Sequence, residues 1–189
     1  MGEAARVEEH VADDERLEVH AGELTPKEAA RYEHSDSQAG IDVAVRGPFQ
    51  RREGGGGPGG WWIATEAEVA YAQGWTFLHD LAGWTRARMP QKPSGRPVRV
   101  APDWVCEILS TNRKHDTVTK FDVLGRAGVR HYWLVDVDAR ELVVHRLEGT
   151  GWVRVGAYLP EEPGARARIE PFDAVELEIA VLFGDDPSE

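Results

Sequence analysis

The clearest pattern of hydrophobic and polar positions runs from Pro102 to Asp136. Trp104, Val105, Cys106, Ile108 and Leu109 form an apolar run of strand length interrupted by one carboxylate, Glu107. Alternate residues of a strand share a face, so Trp104, Cys106 and Ile108 point one way and Asp103, Val105, Glu107 and Leu109 the other. A strand this apolar is expected to be central. An ionised group there must be paired or hold a metal, so Glu107 asks for a functional explanation. Past a polar loop, Val118, Phe121 and Leu124 recur at helical spacing, with Asp116 as N-cap and Gly128 as terminator. A second strong strand, His131 to Asp136, completes a βαβ unit, which favours parallel pairing with a right-handed crossover.

The rest of the chain carries weaker signals. Leu17 to Leu24 reads as one short strand. Pro26 to about Val45 reads as a helix opened by Thr25-Pro26, although Ser35, Asp36, Ser37 and Gln38 spoil its apolar face. Strands are expected at Trp61 to Ile63, more weakly at Glu68 to Tyr71, and at Trp75 to Trp84, the last carrying Asp80. Met89 to Pro97 is a Pro-rich loop. Asp136 to Arg140 is a turn, and Leu142 to Leu147 and Trp152 to Tyr158 form an antiparallel hairpin. A short strand near Val175 to Ile179 and an apolar plug at Val181 to Phe183 finish the pattern. The fold class is α/β, of mixed α+β type: a mixed sheet flanked by helices, with an added C-terminal antiparallel hairpin. The organisation is an acidic N-terminus over residues 1–15, expected to be disordered, one domain over 16–183, and an acidic tail over 184–189.

Composition narrows the class. At 189 residues and 41% hydrophobic content, one core is expected. The single cysteine, Cys106, excludes an internal disulfide and a multi-cysteine metal cage, which fits a reducing cytoplasm. No run reaches membrane-spanning length, and the charged N-terminus lacks a signal peptide's apolar core. Net charge is −11, which argues against a general nucleic-acid binder. That charge sits at the two ends, however, and residues 24–159 come to +2. Arg86, Arg88, Lys92, Arg96 and Arg99 occur without an acid between Thr85 and Pro102, and Arg113, Lys114 and His115 form a second cluster. Each of these side chains alone is more simply a solvated one; flanking the Glu107 strand together, they outline a basic rim for DNA.

Several chemistries are excluded. The seven histidines show no paired zinc spacing, and Ser110 lacks the G-x-S-x-G turn of a hydrolase nucleophile. Gly54 to Gly60 is followed by Trp61-Trp62-Ile63 rather than Gly-Lys-Ser/Thr and a helix, so it is a hairpin or loop and not a phosphate cradle. Cys106 points away from Glu107 and is most simply a small buried residue.

P-D-x-V-x-E-I-L-S from Pro102, D-x-x-x-K from Asp116 to Lys120 and A-G-V-x-x-Y-W-L-V-D from Ala127 to Asp136 resemble the Uma-two family, restriction-endonuclease-like proteins of the PD-(D/E)XK nuclease superfamily. The similarity extends to Trp61 to Ile63, to Asp80 to Trp84, to Pro171-Phe172 and, more weakly, to Glu18 to Leu24. The resemblance implies a restriction-endonuclease-like core and metal-dependent hydrolysis of DNA phosphodiesters. It also implies the site. Asp103 and Glu107 share a face, but four residues of strand separate them by roughly 13 Å, too far to share one ion. The second acid must come from an adjacent strand, and Asp80 matches the family's first acid. The superfamily's E-x-K lysine falls at Leu109; in this family a lysine on the following helix replaces it, matched by Lys120. From spacing alone Lys120 and Asp116 are an exposed i,i+4 pair; the resemblance makes them catalytic.

The expected roles are these. Asp80, Glu107 and the Ile108 carbonyl bind Mg²⁺ or Mn²⁺. The metal activates a water. Lys120 stabilises developing charge, and Asp116 holds Lys120. Arg86, Arg88, Arg113 and Lys114 contact DNA. Glu18, Glu66 and Glu68 are secondary ligand candidates. Without metal, the two acids are expected to lie within roughly 6 Å and to repel each other, so that one pKa rises. A homodimer is expected, its interface supplied by some of the seven tryptophans. The chain departs from the family at His79, where proline is usual, at Ser110-Thr111-Asn112, and at Thr117 and Leu124. Those departures keep a second function open: a nuclease-derived module that binds DNA or a protein without cutting.

Overall fold

The computed structural model describes residues 17–27, 29–51, 56–109 and 115–188, without the side chains of His115 and Asp116. The strands are β1 (Leu17–His20), β2 (Glu23–Pro26), β3 (Trp61–Tyr71), β4 (Trp75–Thr85), β5 (Trp104–Ile108), β6 (His131–Asp136), β7 (Glu141–Glu148) and β8 (Gly151–Tyr158). They form one 8-stranded sheet. A small antiparallel pair, β9 (Arg166–Ala167) and β10 (Leu177–Glu178), stands apart. The described helices are α1 (Tyr32–Phe49) and α2 (Lys120–Arg126).

Among the described strands only β5 and β6 pair in parallel, linked across α2, as the βαβ pattern requires. Hydrophobic alternation in these strands divides the core. Trp104, Cys106 and Ile108 of β5 join Trp133 and Val135 of β6 beneath Ile41, Val45 and Phe49 of α1. Val105, Tyr132 and Leu134 face the other way and are covered by Val123 and Leu124 of α2. Phe172 wedges into the first layer, its ring centroid 4.8 Å from that of Trp104 and 5.7 Å from that of Trp133. The Val181 to Phe183 plug is a 3₁₀ turn over Ala180–Phe183 that packs on α1. Ser37 donates to the Leu182 carbonyl, and Gly40 leaves room for Val181, whose carbonyl oxygen would lie 2.0 Å from a Cβ at that position. These small residues are what made the helix pattern faint.

Four expectations change. The Leu17 to Leu24 strand is a hairpin, turned at Ala21 and Gly22 with φ of 51° and 93°. Pro26 ends β2 rather than starting a helix, and α1 begins at Tyr32; pairing to β1 outweighs the Thr-Pro signal. Trp61 to Ile63 and Glu68 to Tyr71 belong to one 11-residue strand, because β3 pairs with β4 along its length. Asp116 lies inside a π-helical stretch, His115–Thr119, that leads into α2, rather than ahead of the helix as a cap.

Most of the tryptophans are core residues. Trp61, Trp84, Trp104 and Trp133 are buried, and Trp62, Trp75 and Trp152 are half-buried. The four buried ones build the core, which leaves only the three half-buried ones partly at the surface. Among the described residues, no helix is long and apolar enough to cross a membrane.

Candidate active site

The site lies where the sheet forks. β3 pairs with β4 along its whole length, so β1 and β5 share the other edge of β4. β1 meets it at Thr76 and β5 at Leu81 to Gly83. Between those contacts, residues 77–80 have no strand on that edge, and buried backbone groups cannot go unpaired. Side chains replace the ladder. Glu18 accepts the Leu78 N–H at 3.1 Å, Lys27 donates to the Leu78 carbonyl, and Gln38 donates to the Asp80 carbonyl at 2.7 Å. The Asp80 carboxylate takes the Ile108 N–H at 2.7 Å, standing in for the missing strand partner.

β4 also turns over at this point. Phe77 and Leu81 are four apart and should share a face, yet Phe77 packs under α2 and Leu81 under α1. Opposite Asp80, the β3–β4 ladder skips Glu66, whose φ is +48°. This local twist brings acids from two strands close enough that both act on the Lys27 charge.

Asp80 and Glu107 are 1% and 2% exposed, and each has basic partners. Lys27 lies 2.7 Å from Asp80 Oδ1, and His34 Nε2 donates to Oδ2 at 3.1 Å. On Glu107, His79 Nδ1–H donates to Oε1 at 2.5 Å and the Lys120 ammonium lies 3.0 Å from Oε2. With Nδ1 donating, the far nitrogen of a neutral His79 accepts the Tyr71 hydroxyl at 2.6 Å. Lys120 is 2% exposed, so it is no surface pair; it also lies 3.5 Å from Glu18 Oε1 and 5.6 Å from the centroid of Phe77.

Electrostatics follow from this packing. Burial raises the Asp80 pKa, but the Lys27 charge and His34 more than offset it and hold the carboxyl below the usual range. Asp80 is therefore not an acid raised by repulsion: the fold supplies a lysine beside it. Burial lowers the Lys27 pKa, yet Asp80 and then Glu107 bring it out above its ordinary value. Burial, reinforced by Glu107, pushes the Tyr71 hydroxyl well up. Cys106 is likewise raised by burial and by the two acids, and stays an inert thiol.

Of the residues expected in the site, Asp80, Glu107, Ile108, Lys120 and the secondary Glu18 come together. Glu66 touches its edge through Gln38, which donates to Glu66 Oε1 at 3.2 Å. Glu68 instead pairs with Arg96. Asp103 does strand-end work: it accepts from the Thr85 N–H and hydroxyl, and lies 2.9 Å from Arg88 Nε. Arg88 is thus committed to Asp103, and Arg86 lies over the Trp62 ring, 3.5 Å from its centroid. Arg113, Lys114 and the Asp116 side chain fall outside the described residues.

Lys27, His34, His79 and Tyr71 were missed. Only His79 was signalled, as the departure from proline; a proline there would lack the imidazole N–H that holds Glu107. Among the described residues, no three His, Cys, Asp or Glu side chains form a metal cage.

A mixed sheet with two acids meeting at a strand fork and a lysine on the crossover helix defines a restriction-endonuclease-like protein. The chain belongs to the family described as "Uma2: Putative restriction endonuclease", which matches residues 3–181. It is similar in fold to the crystal structure described as "a putative nuclease belonging to DUF820" from Anabaena variabilis, with a TM-score of 0.73 at 19% identity. That similarity covers 95% of this chain and 96% of the other. No curated protein matches the sequence.

Proposed function

We propose that the protein is a metal-dependent DNA endonuclease that hydrolyses phosphodiester bonds. The observation that carries this is the pairing of two buried carboxylates from neighbouring strands with the buried Lys120 ammonium on one of them. Burying such groups costs several kcal/mol per ion before pairing repays it, so a site of this kind is more readily understood as functional than as stabilising.

The donor set suits Mg²⁺ or Mn²⁺: Asp80, Glu107 and the Ile108 carbonyl offer hard oxygens. Asp80 Oδ1 already faces a cation, the Lys27 ammonium, so positive charge is favourable at that point. A bound divalent ion would supply a water acidic enough to attack at neutral pH and a counter-charge for the phosphate. Lys120 adds a fixed positive charge at the same pocket, in a region where water does not screen it. Tyr71 and His79 hold Glu107 in place, and Asp116 is assigned to orient Lys120. Arg86, Arg113 and Lys114 are assigned to the DNA approach, and Arg88 would have to exchange Asp103 for phosphate to join them; Arg86 follows Asp80 by six residues, at most roughly 20 Å of extended chain.

One site of this type cuts one strand, so a double-strand break needs a two-fold homodimer. Since four of the tryptophans are buried, at most Trp62, Trp75 and Trp152 are left to contribute to its interface. The test is nicking of supercoiled DNA by wild type, Asp80→Ala and Glu107→Ala, with Mg²⁺ or Mn²⁺ and with chelator. Metal-dependent nicking lost in both variants supports the enzyme; equal nicking by all three identifies a contaminant. A second reading, a module that binds DNA or a protein without cutting, is favoured by one observation: every carboxylate oxygen of Asp80 and Glu107 already has a protein partner. Measurable DNA binding without nicking at any metal concentration would select it.

A further inference from the structure

A cavity of about 350 Å³ lies against β3 and the loop Lys92 to Arg96, and the reaction proposed above does not use it. That volume falls at the small end of the range for ligand pockets. It is on the sheet face that carries Glu107. Ala82 lies beside Val105 in the β4–β5 ladder, and Val105 shares its face with Glu107; Ala82 in turn packs with Trp84 and Ala67, which line or border the cavity.

The cavity is built rather than incidental. Its indole walls are locked: Trp62 Nε1 donates to the Met89 carbonyl at 3.0 Å and Trp84 Nε1 to the Val100 carbonyl at 2.8 Å. The covering loop is stitched to the edge of β3 by Val98 N–H to the Glu68 carbonyl at 2.8 Å and Ala70 N–H to the Val98 carbonyl at 2.9 Å. Small side chains, Ala64 and Ala67, leave the space that larger ones would fill.

Its chemistry selects a ligand class. Aromatic walls favour a flat ring. Glu66, which accepts from Gln38, and Glu68, which pairs with Arg96 Nε, line the cavity with carboxylate oxygens, each able to accept more than one N–H. Lys92, and the Arg96 N–H groups other than Nε, present donors for ring nitrogens or carbonyls. The two acids and two bases cancel, so the lining does not attract an anion. We propose that this cavity binds a planar heteroaromatic ring bearing an amino group, of the nucleobase kind. Carboxylates reading an exocyclic amine are a familiar mode of base recognition.

The cavity also touches the candidate active site. Glu66 lies across the ladder from Asp80, at a positive φ that a non-glycine side chain adopts only under constraint. The Gln38 amide joins the Glu66 carboxylate to the Asp80 carbonyl. The ring can come from a free nucleoside or from a base turned out of a DNA strand. The DNA source rests on the nuclease reading; binding of the ring does not.

The experiment has two arms, both without divalent metal. In the first, adenosine, cytidine and thymidine are titrated by ligand-observed NMR into wild type, Ala64→Leu and Glu68→Gln. Saturable binding with a Kd of about 1 mM or below is expected. Adenosine or cytidine should be preferred to thymidine, and each variant should weaken binding about tenfold. Glu68→Gln keeps a side chain of the same size, so it remains informative if Ala64→Leu fails to fold. In the second, duplex DNA carrying 2-aminopurine is mixed with Glu107→Ala protein. A rise in its emission identifies a DNA base as the source; nucleoside binding without that rise identifies a free nucleoside. No saturable nucleoside binding together with unchanged emission overturns the proposal, as does binding that both variants leave intact. Loss of nicking alone has no bearing on either arm.

Discussion

Lys27→Met tests whether the lysine is the counter-ion that makes a buried Asp80 tolerable. Asp80 is 1% exposed and its Lys27 contact is 2.7 Å, with the lysine side chain 16% exposed. Breaking a buried pair by removing one partner typically costs about 3–5 kcal/mol. Asp80 keeps two donors on Oδ2, from His34 and the Ile108 N–H, so the low end applies, about 3 kcal/mol. For a chain of this size that is a fall of roughly 6–12 °C in Tm. The deficit should shrink on acidification, because without the lysine burial dominates and Asp80 protonates at higher pH. Lys27→Arg, which keeps the charge, should lose much less. If a divalent ion takes the place of the ammonium, metal at a hundredfold over its Kd should restore about 2.7 kcal/mol to Lys27→Met and less to wild type, where the lysine competes. Thermal melts at neutral pH, with and without about 10 mM Mg²⁺, read both effects. A variant within about 0.5 kcal/mol of wild type would refute the counter-ion argument. Normal destabilisation with no metal rescue would refute only the exchange of lysine for metal.

Other outcomes follow from the same geometry. Gly40→Ala would set a Cβ 2.0 Å from the Val181 carbonyl oxygen and should cost about 3 kcal/mol or more in urea unfolding; a loss under about 0.5 would show that the plug can shift. Asp80 has a folded pKa below its ordinary 3.8, so the unfolded chain binds more protons as pH falls through that value. Its stabilisation is therefore complete above about pH 5 and lost progressively as pH falls through the ordinary value and then the depressed folded one, and acid unfolding in Asp80→Asn should lack that component. His79→Ala removes the donor to Glu107 Oε1 and should destabilise by about 1–3 kcal/mol, read by the same melts, without unfolding the domain. Lys120→Met should abolish any nicking and lower stability together, because it strands Glu107; nicking retained despite lowered stability would show the ammonium to be structural only.

The strongest local patterns were readable because they are local. Alternation in Trp104 to Ile108, the helical spacing around Phe121 and the run His131 to Asp136 specify strand, helix and strand, and the burial of each face follows from side-chain parity. The motifs carrying the family resemblance lie on those elements and on β4, which is why Asp80, Glu107 and Lys120 could be named from the sequence. The fork could not. It arises because three strands compete for two edges of β4, and the unpaired backbone at residues 77–80 then recruits Glu18, Lys27 and Gln38 from 42 to 60 positions away in sequence. No periodicity encodes such a partnership. The polar face of α1 looked like a failed helix pattern, yet His34, Ser37 and Gln38 each answer a hydrogen-bonding demand set by another element. Likewise, the seven tryptophans suggested a surface by their number, but a small domain with a wide sheet needs bulky side chains to fill its two layers. Sequence decided which residues are apolar, which are acidic and how they alternate; tertiary structure decided which charges would meet, because only the closed sheet determines which backbone groups are left without a strand.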